Sequence, residues 1–308
     1  MLRGNLKLII GLIMLAIFLV IAIIGPSIAP YGINETAKME YVTTKQGGTL
    51  MAPPFPPSKK HILGTDRWGY DILSLLLYGA RFTLFTVLIV SFLRVAMGGL
   101  LGFIFALNKH ALDRPKNKVK VNIFSGLPIF IFIYFILYRI NLQPVMRPVT
   151  LTIIAGVLMV LLGVMNVYNV VYGKTIEIKK NLYVTAAFSM GGSRWHIMKK
   201  HIWPAMKSQM LIIFVNEMIQ VMHLIGQLGI FNLFLGGTIV QMDPPLAISV
   251  TKEWAGLIGQ FRSSFYYSRW IIMFPLSCYL LLLLAFYWVA QGLIKREKLI
   301  QRKQPFLS

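Results

Sequence analysis

The chain is 308 residues long, 56% hydrophobic and only 13% charged, with a mean hydropathy of +0.68. A soluble domain of this composition would lack polar residues to cover its surface, so the chain reads as an all-α integral membrane protein whose apolar runs of roughly 20 residues cross the bilayer as helices. The formal net charge of +21 does not indicate nucleic acid, because the basic residues gather in short loops beside apolar runs, where they set membrane topology. The single cysteine, Cys278, excludes an intrachain disulfide, and no Cys/His spacing suits a metal.

The first apolar run, Leu8 to Ala29, follows Arg3 and Lys7. It is longer than the ~7–15 residues of a signal-peptide core, and Ser27-Ile28-Ala29 is followed by Pro30, a poor cleavage site. Residues 1–30 are therefore expected to be a transmembrane anchor, and the Pro-rich stretch 31–78 an extracytoplasmic loop. Further spans are expected over 79–107, 121–140, 149–172, 206–235 and 270–292, which makes six transmembrane helices, with five in a core over 79–293. Lys109, Arg114, Lys116, Lys118 and Lys120 lie between spans two and three; Lys174, Lys179, Lys180, Arg194, Lys199, Lys200 and Lys207 lie between four and five; Lys295, Arg296, Lys298, Arg302 and Lys303 follow span six. That asymmetry predicts a multi-pass protein with these segments, the basic tail 294–308 and both termini in the cytoplasm.

The polar interruption 181–204 has an internal design. Tyr183, Ala187 and Met190 recur at i, i+4 and i+7, and Trp195, Met198 and Ile202 at i, i+3 and i+7, which predicts two short helices broken at Gly191-Gly192. Ser193 is placed to cap the second helix, and Pro204, lacking an N–H, to end it. Arg194, His196, Lys199 and Lys200 lie on the outer face, facing membrane lipid or a partner protein.

The next span carries Asn216, Gln220, His223 and Gln227 at i, i+4, i+7 and i+11. On a helix turning about 100° per residue these share one face, with Gln209 extending it toward the cytoplasm. Such a stripe either lines a wetted translocation pathway for a polar solute or bonds neighbouring helices together, the latter worth about 0.6 kcal/mol per contact. Arg94 and Glu217 are the ionisable residues deepest in apolar sequence; each must face protein or water, and Glu217 lies about 100° off the stripe, where pairing with another helix, Arg94 among the candidates, is open to it. Gly98 and Gly102 have the GxxxG spacing that permits close helix approach. No HExxH, GxSxG, CxxC or GxxxxGK[ST] motif is present, so the chain carries neither a recognisable catalytic centre nor a phosphate loop of its own.

Three blocks resemble the permease subunits of binding-protein-dependent ABC importers of the dipeptide/oligopeptide/nickel group. Within YVTAAFSMGGSRWHIMKKHIWP, residues Ala186, Ala187, Gly191, Arg194 and Pro204 match the family's coupling motif. LGTDRWGYDILSLLLYGARFTL, Leu63 to Leu84, is similar to the sequence entering the second span, and EWAGLI, Glu253 to Ile258, with Pro275 and Gly292-Leu293, is similar to the last external loop and span. Two positions depart: Thr185 stands where the motif usually has glutamate, and Tyr70 where the second block usually has arginine.

The resemblance implies a type I ABC importer permease fold in the bacterial inner membrane. It further implies a second permease subunit, two ATP-binding cassette subunits on the cytoplasmic loops and an extracytoplasmic solute-binding protein. No cofactor would be bound by this chain, ATP with Mg²⁺ being held by the ATPase subunits. The solute would be a peptide or a similar small polar molecule. Because of Thr185 and Tyr70, a second role stays open, that of a permease homologue acting as a structural or regulatory membrane partner of an ATPase.

Overall fold

The computed structural model describes residues 2–44, 47–107, 128–242 and 245–303. The basic residues expected between spans two and three, the start of the third predicted span (121–127) and the end of the basic tail (304–308) lie outside them.

The described chain is built on helices α1 (Leu2–Ile28), α2 (Ile72–Ala106), α3 (Ile129–Asn141), α4 (Pro148–Lys179), α5 (Leu182–Ser189), α6 (Arg194–Ile197), α7 (Trp203–Ile230), α8 (Trp254–Phe261) and α9 (Arg269–Lys303). Two antiparallel hairpins, which the residue pattern did not announce, sit in the connections: β1 (Glu40–Thr44) with β2 (Gly47–Met51), and β3 (Thr238–Met242) with β4 (Pro245–Ser249). Five helical stretches among the described residues are long and apolar enough to cross a membrane: Leu6–Ile28, Ile72–Ala106, Pro148–Lys179, Arg194–Ile230 and Arg269–Leu299. The apolar helix at the third predicted span, α3, has 13 described residues, about 20 Å at 1.5 Å per residue.

Helix α2 runs through the centre of the bundle. Asp71 starts it by accepting the Ser74 N–H at 2.9 Å, while His61 holds the other Asp71 oxygen at 3.0 Å. Gly98 and Gly102 are where α2 meets α4: a Cβ at Gly98 would lie 2.7 Å from Val167 Cβ, and one at Gly102 would lie 2.9 Å from Val171 Cβ. The GxxxG spacing thus serves one close helix contact. Helix α8 seats on α2 at the end of the bundle that carries the hairpins. There the Trp254 N–H donates to Thr83 Oγ1 and the indole N–H to the Leu76 carbonyl, both at 3.0 Å. The second and third sequence blocks are therefore one packed unit. The buried core of the bundle includes Leu76, Val87, Val221, Met222, Leu257 and Phe286.

A second, smaller core closes the opposite end, where Phe103, Val167, Val171, Val184, Ile197, Ile202 and Met206 join α2, α4, α5, α6 and α7.

Candidate functional site: the α5–α6 elbow and the polar face of α7

At the elbow, Gly191 adopts φ +82, a left-handed conformation that favours glycine, and the Gly191 and Gly192 N–H groups bond back to Phe188 and Ala187. Ser193 then caps α6 by accepting the His196 N–H at 3.2 Å. The break and cap fall where the residue types place them.

Pro204 does not end the second helix, however. Residues Met198–Ile202 form a π turn, in which the Trp203 N–H reaches back to the Met198 carbonyl, and α7 continues without interruption from Trp203. Pro204 occupies the first turn of α7, a position where a missing N–H is tolerated. The elbow is thus continuous with the membrane-length helix that follows.

The buried face also differs from the expected spacing. Val184, Ile197 and Ile202 are fully buried and Met198 is largely buried, whereas Met190 is 82% exposed and Trp195 75%. Helix α5 uses Val184, Ala187 and Phe188, at i, i+3 and i+4, against the second core, and the turn at Gly191 leaves Met190 on the outside. The exposed surface of the elbow accordingly presents Leu182, Met190 and Trp195 together with Arg194, His196, Lys199 and Lys200. Tyr183 stays half-buried, its ring 6.1 Å from that of His201. Thr185 and Ala186 are exposed, and the Thr185 hydroxyl turns back onto the Asn181 and Leu182 carbonyls, both at 3.0 Å. At this position the elbow therefore offers a methyl group where a carboxylate would project.

On α7, Asn216, Gln220, His223 and Gln227 are all exposed on one face, while Val215, Met218, Val221, Met222, Leu224, Ile225 and Leu228 are buried behind them. None of the four stripe side chains hydrogen-bonds to another part of the described chain, so among the described residues they do not act as glue. Gln209 does not extend the open stripe. It accepts from Lys174 Nζ of α4 at 2.6 Å and donates to Glu297 of α9, tying three helices together just beyond the elbow.

Glu217 turns away from the stripe. Its carboxylate meets Arg94 Nη1 of α2 at 3.1 Å, and Arg94 Nε and Nη2 donate to the Met159 carbonyl of α4 at 2.9 and 2.7 Å. The two deepest charges thus neutralise each other at the junction of three helices, with Arg94 only 3% exposed.

The hairpin end holds a polar network that the residue pattern did not single out. Asp66 accepts the N–H groups of Trp68 and Tyr70, both at 2.9 Å, and burial pushes its carboxyl up to about 6 despite those bonds and nearby Lys252. The Lys252 ammonium lies over the Tyr70 ring, 5.3 Å from its centre. Tyr70 is therefore accommodated by a cation–π contact. Next to it, Glu253 caps α8 by accepting the Ala255 N–H at 2.8 Å, and burial raises this carboxyl to about 7. The Asp-x-x-Ser start of α2 was the available signal for the Asp71 cap. Nothing local in the sequence announces Asp66 and Lys252, which are 186 positions apart.

Residues 98–298 match the family described as binding-protein-dependent transport system inner membrane component, and residues 2–54 match the N-terminal TM domain of oligopeptide transport permease C. The oligopeptide transport system permease protein OppC of Bacillus subtilis is 25% identical over 292 residues, 94% of this chain and 85% of that protein. The dipeptide transport system permease protein DppC of the same organism is 26% identical over 194 residues, 63% of this chain and 54% of that protein, so this match spans about half of the relative's length. The glutathione transport system permease protein GsiD of Pectobacterium atrosepticum is 25% identical over 237 residues, 77% of this chain and 72% of that protein. With more than half of its length inside the first match, and with its elbow continuous with a stripe-bearing membrane helix, the chain belongs to the binding-protein-dependent transport system inner membrane component family, the permease subunits of ABC importers.

Proposed function

We propose that this subunit translocates peptides or similar small polar solutes across a bacterial inner membrane, with the stripe Asn216, Gln220, His223 and Gln227 facing the pathway. A second permease subunit completes the pathway, and the α5–α6 elbow docks on ATP-binding cassette subunits in the cytoplasm. These hold ATP with Mg²⁺ and hydrolyse it, while a solute-binding protein delivers cargo at the hairpin end. Both termini are cytoplasmic in this arrangement, as the placement of Lys and Arg favours. The names of the relatives support a peptide-like cargo.

The observation that carries this reading is the open polar face of α7. Four polar side chains without partners among the described residues, at membrane depth, call for either a wet path or polar groups elsewhere. Helix α7 grows directly out of the elbow, so a push on α5–α6 tilts the helix that bears the stripe, a rigid-body route to alternating access. Replacing Gln220 and His223 together with leucine should abolish most uptake in a reconstituted complex while assembly persists. Unchanged uptake would reassign the stripe to packing between subunits.

One observation favours the second role. With the Thr185 hydroxyl folded back onto its own helix, the elbow presents no carboxylate between Leu182 and Lys207. A complex that binds ATPase subunits yet imports no solute would establish this chain as a structural partner.

A further inference from the structure

Two buried cations join α2 to α4, one near mid-length and one at the elbow end. Arg94 of α2 holds the Met159 carbonyl of α4 and reaches Glu217 of α7. Lys179 is the last residue of α4 and is only 2% exposed. Its ammonium donates at 2.7 Å to the carbonyl of Ala106, the last residue of α2, and lies 5.5 Å from the centre of the Phe188 ring in α5. A cation at a helix C-terminus satisfies a carbonyl that no N–H of the helix can reach, and over an aromatic face it is attracted by the ring quadrupole. Lys179 therefore joins the ends of α2 and α4 to one of the two elbow helices. Between the two cations, Gly98 and Gly102 press α2 onto Val167 and Val171 of α4.

We propose that Lys179 is a positioning residue for energy coupling, which fixes α5 to the α2–α4 pair so that movement of the elbow reaches the stripe helix by two routes. One is the covalent route through the π turn into α7. The other runs through Lys179, along the paired helices α2 and α4, and into α7 through Arg94 and Glu217. With both routes intact, α5–α6 and α7 move together with α2 and α4. With Lys179 removed, α5 loses its polar tie to the ends of α2 and α4 and keeps its apolar contacts around Val184, so the elbow can shift without carrying the bundle. This inference rests on the importer reading above.

The test uses the full complex with its ATPase subunits and binding protein in proteoliposomes. Lys179→Met should leave basal ATP hydrolysis within about twofold of wild type. It should lower both the stimulation by loaded binding protein and solute uptake by about tenfold, the size of an ordinary coupling constant. Phe188→Leu should lower both by about threefold, and Phe188→Tyr, which keeps the ring, should retain them. Spin labels at Met190 and Leu100, in a Cys278→Ala background, should show a broadened distance distribution in Lys179→Met, with Leu100 to Leu161 unchanged.

Gly191→Val serves as the reference for the lever itself. If Gly191→Val uncouples while Lys179→Met does not, the role of Lys179 is overturned and the lever stands. If neither uncouples, the lever reading falls and this inference with it. Should Lys179→Met fail to assemble, wild-type stimulation in Phe188→Leu would overturn the proposal.

Discussion

Arg94 and Glu217, 123 positions apart in sequence, meet at 3.1 Å in the interior of the bundle, and the remaining guanidinium bonds go to the Met159 carbonyl. The pair resolves two costs together. Glu217 sits about 100° from the open polar face of α7, and Arg94 covers its charge on the side that packs against α2 and α4. Gly163 makes room for this: a Cβ there would fall 2.1 Å from Arg94 Nε, so a side chain would displace the guanidinium.

Breaking the pair from one side should cost more than removing it altogether. Glu217→Ala leaves Arg94 charged and half-satisfied in a low-dielectric interior, a loss of about 3–5 kcal/mol, whereas Arg94→Met with Glu217→Met removes both charges and should recover most of it. Thermal unfolding of the detergent-purified subunit would show this as a large fall in Tm for the single variant and a small one for the double. Equal falls would mean that the pair contributes through packing and not through charge.

Gly191 allows backbone strain to be separated from steric exclusion. Its φ of +82 is costly for a side chain, yet nothing lies within 4 Å of where a Cβ would be. Gly191→Asn, which tolerates left-handed backbone, should therefore support ATPase stimulation close to wild type. Gly191→Val should lose it, the β-branch adding roughly 1–3 kcal/mol of strain that the elbow relieves by changing its angle. Membrane insertion and expression should be equal for both. Full stimulation with Gly191→Val would show that the angle is not what couples.

These residues show which features can be recognised from sequence. Gly191, Ser193 and the stripe were legible because turn chemistry, capping and helical period are local, and each demands a residue type at a fixed spacing. The role of Pro204 was not, because a proline suits either the end of one helix or the first turn of the next, and the π turn that decides between them leaves no signature in residue type. Gln209 shares the period of the stripe but is claimed by Lys174 and Glu297, partners that only the assembled bundle supplies. Arg94 and Glu217 were recognisable as charges in need of cover, and the fold supplies the cover.

Close packing of α2 on α4 gives a third expectation. Gly98→Leu would drive a side chain into Val167 and the Val164 carbonyl, 2.7 and 2.8 Å from even the first added carbon. Overpacking of this kind typically costs about 1–3 kcal/mol. Gly156→Leu on α4, where the nearest atom is 3.5 Å away, should be far milder. Comparing the Tm of the two purified variants checks this, and similar losses at both positions would argue against a tight α2–α4 seam.

The carboxyls at the hairpin end should give the protein a measurable pH dependence. Burial holds the folded-state values at about 6 for Asp66 and about 7 for Glu253, against ordinary values of 3.8 and 4.5. The folded chain then keeps these protons to higher pH than the unfolded chain does. Their contribution to stability is greatest below about pH 4 and declines as pH rises through 6 and 7. For Glu253, which is 1% exposed, the decline is on the order of 3 kcal/mol. Glu253→Gln cannot ionise, so its Tm should fall less than that of wild type between pH 5 and pH 8. Asp66→Asn should flatten the slope further, since its side-chain oxygen can still accept the Trp68 and Tyr70 N–H groups. If both variants follow the wild-type slope, the proton uptake lies elsewhere, and burial does not hold these two carboxyls above their ordinary values.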